Sequence, residues 1–195
     1  GDIYKPEIFG DTTVYADLYK VAPQEAAAYI QDKMEFDEMV VNIGIRYDYF
    51  DPASVYPSNR RNPSNQLAYK DTSGVLIDSL MSTYPDAEII DQISPRIGFA
   101  YQLGNEAVLH FSYGHFFQMP PLYAMYQNHS FLIPPNDHGT TMGNVRLEPE
   151  KTITYEIGLW QELTRGLSLD VALFYRDIYN LLSAQVFSTY NQIEY

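Results

Sequence analysis

Two neighbouring stretches of this chain alternate apolar and polar residues with a period of two, and a short turn joins them. In residues 147–159, LEPEKTITYEIGL, Ile153, Tyr155, Ile157 and Leu159 fall on one parity, and Thr152, Thr154, Glu156 and Gly158 on the other. After Thr164-Arg165-Gly166, the residues Leu167, Leu169, Val171, Leu173 and Tyr175 alternate with Ser168, Asp170, Ala172, Phe174 and Arg176. A strand sends successive side chains to opposite faces, whereas a helix would scatter this pattern around its circumference. Two such runs across a tight turn make a β-hairpin. Pro149 marks where the first strand begins, because proline is tolerated at a strand's first residue and not in its interior. The pattern fixes a ribbon with one apolar and one polar face, and the architecture then depends on the medium that meets the apolar one.

The same unit recurs upstream. Val41, Ile43, Ile45, Tyr47 and Tyr49 alternate with Asn42, Gly44, Arg46 and Asp48, directly after a weaker alternation ending at Phe36. Further on, Ile97, Phe99, Tyr101 and Leu103 alternate up to Gly104-Asn105-Glu106, and Leu109, Phe111, Tyr113 and Phe117 continue to Pro120-Pro121. The expected strands are 26–36, 40–51, 94–103, 107–119, 151–163 and 167–182, about three antiparallel hairpins. Between hairpins lie long segments rich in Pro, Ser and Asn, and residues 75–81 are expected to form a short helix within the first. Every short connection is at one end of the strands and every long loop at the other. Strands of about ten residues cross a bilayer at a tilt near 45°. Outer-membrane barrels pair short periplasmic turns with long extracellular loops. The fold class expected is therefore all-β: an antiparallel transmembrane β-barrel segment occupying residues 1–195.

Composition narrows the function classes. The chain has 195 residues, no cysteine and a net charge of -13, so thiolate chemistry is excluded and a nucleic-acid partner is not expected. No run of 18 or more apolar residues provides a membrane-spanning helix. Aromatic residues make up 15%, with 18 Tyr. Rings such as Tyr47, Tyr49, Tyr155, Tyr175 and Tyr179 gather near the long-loop ends of the apolar rows, as in an interfacial aromatic girdle. Near the short-turn ends Phe36, Tyr101 and Trp160 would make a second, sparser girdle. Phe50, Phe116 and Trp160 have the wrong parity for a girdle and count only if a bulge re-aims them. The opposite face carries Arg46, Arg96, Glu156, Asp170 and Arg176, charges that suit a hydrated or plugged lumen.

The stretches GIRYDYFDP (44–52), SPRIGFAY (94–101), HFSYGHFFQMPP (110–121), LEPEKTITYEIGL (147–159) and DVALFYRDI (170–178) resemble the C-terminal barrel of TonB-dependent outer-membrane receptors. They are most similar to members that begin with a carboxypeptidase-regulatory-like domain, and the resemblance covers about 26–182. It implies a 22-stranded barrel filled by a plug domain, an inner-membrane TonB-type energy coupler as partner, outer-membrane lipid as surroundings, and energised passage of a ligand. The sequence shows neither a plug nor a TonB-binding box and holds too few strands to close a barrel, so it reads as a fragment of a receptor.

Residues alone leave three classes open: a transporter segment, a non-transporting surface adhesin or structural barrel, and a soluble β-rich binding module. No enzymatic constellation is expected. Glu148 and Glu150 flank a proline at a loop–strand junction, and the four histidines lack the spacing of a metal site. No cofactor is expected. Candidate ligand contacts are the loop residues Tyr56, Arg60, Arg61, Tyr123, Tyr126 and His129, whose rings and donors suit a siderophore, glycan or peptide. Candidate lumen or plug contacts are Arg46, Arg96, Glu156, Asp170 and Arg176, read as a charge network on one face.

Overall fold

The computed structural model describes Gly10 and residues 17–66, 70–133 and 140–189. Expectations for His138, for most of residues 1–16 and for the chain end at 192–195 lie outside the described residues. Six strands form one antiparallel sheet in sequence order. They are β1 (Gln24–Glu35), β2 (Met39–Asp51), β3 (Ile90–Leu103), β4 (Ala107–Gln118), β5 (Glu150–Thr164) and β6 (Leu167–Tyr179). Among the described residues the sheet is not closed, and β1 and β6 are its edges. The 13 residues of β6 span about 43 Å, or about 30 Å of height at a 45° tilt, which matches a bilayer's hydrocarbon core.

The register sorts the side chains as the alternation requires. One row of directly paired residues runs Val41, Phe99, Phe111, Ile157 and Leu173, and the next runs Ile43, Ile97, Tyr113, Tyr155 and Tyr175. In these rows the Phe99 and Phe111 rings stack at 5.5 Å, and Tyr155 lies 5.0 Å from Tyr113 and 6.3 Å from Tyr175. This outer face turns away from the chain's own mass, and Leu173 is 68% exposed. Asp32, opposite Ile43, interrupts it in β1. On the inner face one row runs Gln31, Gly44, Arg96, Gly114, Thr154 and Arg176.

The short connections are tight. The Phe36 N–H donates to the Met39 carbonyl at 2.7 Å, and Gly104 and Gly166 take φ of +65° and +82°, a region glycine enters without steric cost. Neighbouring turns are laced together, Gln102 N–H to Glu38 O and Glu162 N–H to Glu106 O, both at 2.7 Å.

Three boundaries differ from the sequence expectation. β3 begins at Ile90, so Pro95 sits inside the strand instead of near its start. This is tolerated because β3 pairs with β4 only from Arg96 onward, which leaves residues 90–95 with a strand partner on one side alone. β6 stops at Tyr179 and not at residue 182, because Asn180 turns into the left-handed region (φ 59°) and its amide donates to the Pro149 carbonyl at 3.3 Å. The helix expected over 75–81 contracts to a single 3₁₀ turn, Asp78–Leu80.

The buried core lies off the sheet, at its long-loop end. Residues 119–149 contain a short helix, α1 (Leu122–Tyr126), whose Met125 and Tyr126 are both 1% exposed and pack with Phe50 and Val145. The Tyr126 hydroxyl donates to the Pro52 carbonyl at 2.8 Å, tying the second loop to the first. The first loop, residues 52–89, is held by a polar clasp. The Ser82 hydroxyl lies 2.9 Å from the carbonyls of Asn59 and Asn62, and the Asn65 side chain both accepts from Ser82 N–H (2.7 Å) and donates to Ser82 O (2.8 Å). The two loops then join: Gln66 exchanges two hydrogen bonds with the Ile133 backbone, and Tyr84 stacks on Phe131 at 6.0 Å.

Candidate functional site

Two surfaces bear functional groups: the inner wall of the sheet and the cap built by the loops. The wall is a direct result of strand parity. Arg46, Arg96, Glu156 and Arg176 all line one groove of about 720 Å³, floored by Gly44, Gly98 and Gly114. Small residues leave room for the long side chains to lie along the sheet. A Cβ at Gly114 would stand 3.2 Å from the Phe116 ring, and one at Gly158 would meet the His110 imidazole.

Among the described residues, no ion pair joins Arg46, Arg96, Glu156 and Arg176 to one another. Arg46 pairs with Asp48 on its own strand, Nη2 to Oδ1 at 2.7 Å and Nε to Oδ1 at 2.8 Å. Arg96 lies over the Phe116 ring at 4.8 Å, and Arg176 over Phe174 at 4.9 Å. The Glu156 carboxylate has His110 Nε2 at 3.8 Å. Asp170 stands toward the short-turn end, paired in register with Trp160, and does not line the groove. The reason is geometric: Arg96 and Arg176 share one cross-strand row and Glu156 the next, so each guanidinium reaches a nearby ring first.

That geometry also corrects the girdle. The register is regular through Phe50, Phe116 and Trp160, and the single irregularity in β5 falls later, between Glu162 and Thr164. No bulge re-aims these three rings. Phe50 is part of the loop core, Phe116 supports Arg96, and Trp160 remains on the inner face opposite Val108. The outer face keeps its tyrosines.

The cap distributes the loop candidates unequally. Tyr123 is 64% exposed on α1. His129 is half-buried among the rings of Tyr19, Tyr126 and Phe131, at 6.0 to 6.4 Å. Tyr126 is enclosed, so it anchors the two loops and offers a ligand no surface. Burial, then the charge of Asp51 and the nearby Tyr19, hold its hydroxyl above the ordinary tyrosine range.

Tyr56, Arg60 and Arg61 come together with partners that sequence reasoning missed. Arg146, from the second loop, lies over the Tyr56 ring at 4.6 Å. Arg60 lies over Phe187, in the segment after β6, at 5.4 Å, and Arg61 Nε donates to Ser188 O at 2.9 Å. Arg146 and Phe187 carry no periodic signal, and only the folding of three separate segments onto one another brings them here. A smaller hollow of about 240 Å³ lies at the junction of β4, β5 and β6, where Glu148 and Glu150 meet Leu147 and Leu181. Among the described residues no three His, Asp or Glu side chains gather as a metal site.

Residues 3–194 match the family described as TonB dependent receptor-like, beta-barrel. No curated relative matches. Among solved structures the chain is similar to the Serratia marcescens hemophore receptor HasR, a double mutant in complex with its hemophore HasA and heme. The TM-score is 0.52 at 18% identity, covering 80% of this chain and 25% of that one. It is also similar to the ferric-catecholate import receptor Fiu from E. coli K12, with a TM-score of 0.42 at 21% identity, covering 80% and 21%. The chain thus spans about a quarter or less of the length of these receptors. At such identities the first of them speaks for the fold alone.

Proposed function

Because this chain belongs to the TonB-dependent receptor β-barrel family of the bacterial outer membrane, we propose that it forms one wall of a transporter that captures a ligand outside the cell and passes it inward. The family is one of transporters and receptors, not of enzymes. In this reading the outer face meets outer-membrane lipid, the groove bearing Arg46, Arg96, Glu156 and Arg176 faces a plug domain and the passing ligand, and the loop cap makes first contact. Asp170 faces the same lumen nearer the periplasmic turns.

The observation that carries the reading is the asymmetry of the sheet. An apolar outer face with a polar inner groove has tight turns at one end and a folded loop cap at the other. A soluble binding module has no use for an exposed face of Ile, Val, Leu and Tyr such as Ile97, Ile157, Val171 and Leu173, which in water is an aggregation hazard. The cap residues Tyr56, Arg60, Arg61, Tyr123 and His129 are the proposed ligand contacts. Tyr126 serves as their support.

The parent protein tests this. It is expected to carry a plug upstream of these strands and to bind the periplasmic domain of a TonB-type coupler in a pull-down from outer membranes. A parent with neither plug nor coupler binding overturns transport in favour of an adhesin. A parent that is monodisperse and β-rich in buffer without detergent overturns the membrane reading altogether.

A further inference from the structure

Neighbouring strands of the sheet are zipped together up to their long-loop ends, with one exception. β3 and β4 pair from Leu103 opposite Ala107 up to Arg96 opposite Gly114, and no pair joins them beyond that point. Neither strand ends there. Residues 90–95 continue on β2, from Pro95 opposite Ile45 to Ile90 opposite Phe50. Residues 115–118 continue on β5, from His115 opposite Ile153 to Gln118 opposite Glu150. The wall thus divides at its long-loop end into two ribbons with a seam between them, well inside the sheet and away from its edges. The first ribbon runs on into the first loop through Ala87 N–H to Ser54 O (2.8 Å), Tyr56 N–H to Pro85 O (3.1 Å) and Ser58 N–H to Thr83 O (2.9 Å).

Two features keep the seam unzipped. Pro95 has no N–H to donate, and it stands at the register step where the ladder stops. Above it, Gln92 Nε2 donates to the Ile93 carbonyl at 2.7 Å, so a side chain serves a backbone acceptor. Buried polar groups collect along the same line. Among the described residues, three buried side-chain atoms lack a hydrogen-bond partner: Ser54 Oγ, Ser94 Oγ and His115 Nδ1. Ser94 lies in the unzipped stretch of β3, His115 in that of β4, and Ser54 on the first ribbon above them. Folded proteins satisfy nearly all such groups, and leaving one dry and unpaired is unfavourable. Parting the ribbons lets water reach them.

We propose that this seam is a hinge line, along which the first ribbon and its loop swing away from the second ribbon and its loop while the ladder below Pro95 stays closed. The latches of the closed position are the contacts between the two loops. They are the Tyr126 hydroxyl on the Pro52 carbonyl, the Gln66 amide on the Ile133 backbone, and the Tyr84 ring on Phe131. At the foot of the seam Arg96 of β3 lies over the Phe116 ring of β4 at 4.8 Å, bridging the strands where their pairing ends. Opening exchanges these latches for hydration of the orphaned groups. It also widens the mouth of the inner groove, which Ser94, Arg96 and Gly114 line. Under the uptake reading above, the hinge gives a bulky ligand a way past the cap; the motion itself does not depend on that reading.

The test measures distances by pulsed electron spin resonance in the full parent receptor in nanodiscs. Spin labels go on Ile93→Cys and Phe117→Cys, which would face each other if the ladder continued. The reference pair is Tyr101→Cys and Leu109→Cys, partners in the zipped stretch. The seam pair should give two distance populations and the reference pair one. Tyr126→Phe, which removes a latch, should raise the ratio of long to short distances by about fivefold or more. Pro95→Val, which restores a donor, should lower it. The reference pair, measured in each background, reports that the variant has folded.

A seam distance as narrow as the reference and unmoved by Tyr126→Phe overturns the hinge, as does equal broadening of both pairs. The measurement needs neither ligand nor coupler. A receptor whose seam parts but which lacks a plug and coupler binding would overturn only the uptake reading. A coupled transporter with a rigid seam would overturn only the hinge.

Discussion

Replacing Tyr126 separates a folded loop cap from a loosely draped one. The ring is 1% exposed within the cluster of Phe50, Met125 and Val145, and its hydroxyl donates to the Pro52 carbonyl at 2.8 Å. Tyr126→Phe removes that hydrogen bond and leaves a buried carbonyl without its partner, at a cost of about 1–3 kcal/mol. Tyr126→Ala also deletes the ring and opens a cavity, for about 3–5 kcal/mol.

The reporters are the amides of Gly143 and Asn144, which donate to Gln127 O (2.7 Å) and Ala124 O (2.9 Å) and close the second loop around α1. At about 1.4 kcal/mol per tenfold change, hydrogen exchange at these amides in the parent protein should quicken by roughly 5- to 150-fold in Tyr126→Phe. It should quicken by more than that in Tyr126→Ala. Amides in the β4–β5 ladder should keep their wild-type protection, because the cap packs against the sheet only at its end.

A pH axis checks the same contact. Tyr126 has a folded-state pKa raised above its ordinary 10.0, so its contribution is fully present below that value and is lost as pH rises through the higher folded value. Cap protection should therefore hold to about pH 10 and fall above it, and Tyr126→Phe should remove that alkaline loss. Unchanged exchange in Tyr126→Ala, or loosening spread equally through the sheet, would refute the cap as a separate packed unit.

Two further substitutions probe the loops. Ser82→Ala removes the hydroxyl that accepts from Asn59 N–H at 3.1 Å and reaches the Asn59 and Asn62 carbonyls. Limited proteolysis should then cut within residues 52–89 sooner, for a local cost of about 1–3 kcal/mol, and wild-type resistance would show the clasp to be dispensable. Gly143→Ala places a Cβ 2.5 Å from the Met125 carbonyl oxygen, a backbone atom that cannot swing away. Overpacking of this kind costs about 1–3 kcal/mol, so the same Asn144 amide should exchange faster, while Gly10→Ala, whose added Cβ has nothing within 4 Å, should leave it unchanged.

The sheet was legible because a period of two is a local property. Thr152 through Leu159 declare their faces without knowing their neighbours, and the register only aligns them. Where the local signal was ambiguous the expectation slipped. Pro95 looked like the start of a strand, yet residues 90–94 precede it in the ladder because β4 has not yet joined on that side. Asn180 ended β6 through its backbone conformation and a bond to a residue 31 positions away, which no alternation reveals.

The cap was hardly legible at all. Tyr123 and Tyr126 are three residues apart in the same helix, and sequence treated them alike. One is 64% exposed and the other 1%, because the second loop folds α1 against Phe50 and Val145. The inner face of the sheet was partly legible: parity put Arg96, Glu156 and Arg176 on one side, and they line one groove. It could not anticipate that the arginines would lie on Phe116 and Phe174 instead of reaching the carboxylate.

The central claim is that the two faces of this sheet meet different media, and adjacent residues of β6 test it most directly. Val171 pairs with Leu159 on the outer face, and Asp170 with Trp160 on the inner one. In the parent protein, Val171→Arg places a cation against lipid and should impair assembly into the outer membrane, at a cost approaching about 2–4 kcal/mol near the midplane. Asp170→Arg should assemble at wild-type level, measured for both as the heat-modifiable folded fraction in isolated outer membranes. Equal assembly of the two variants, or failure of Asp170→Arg alone, would contradict the assignment of the faces.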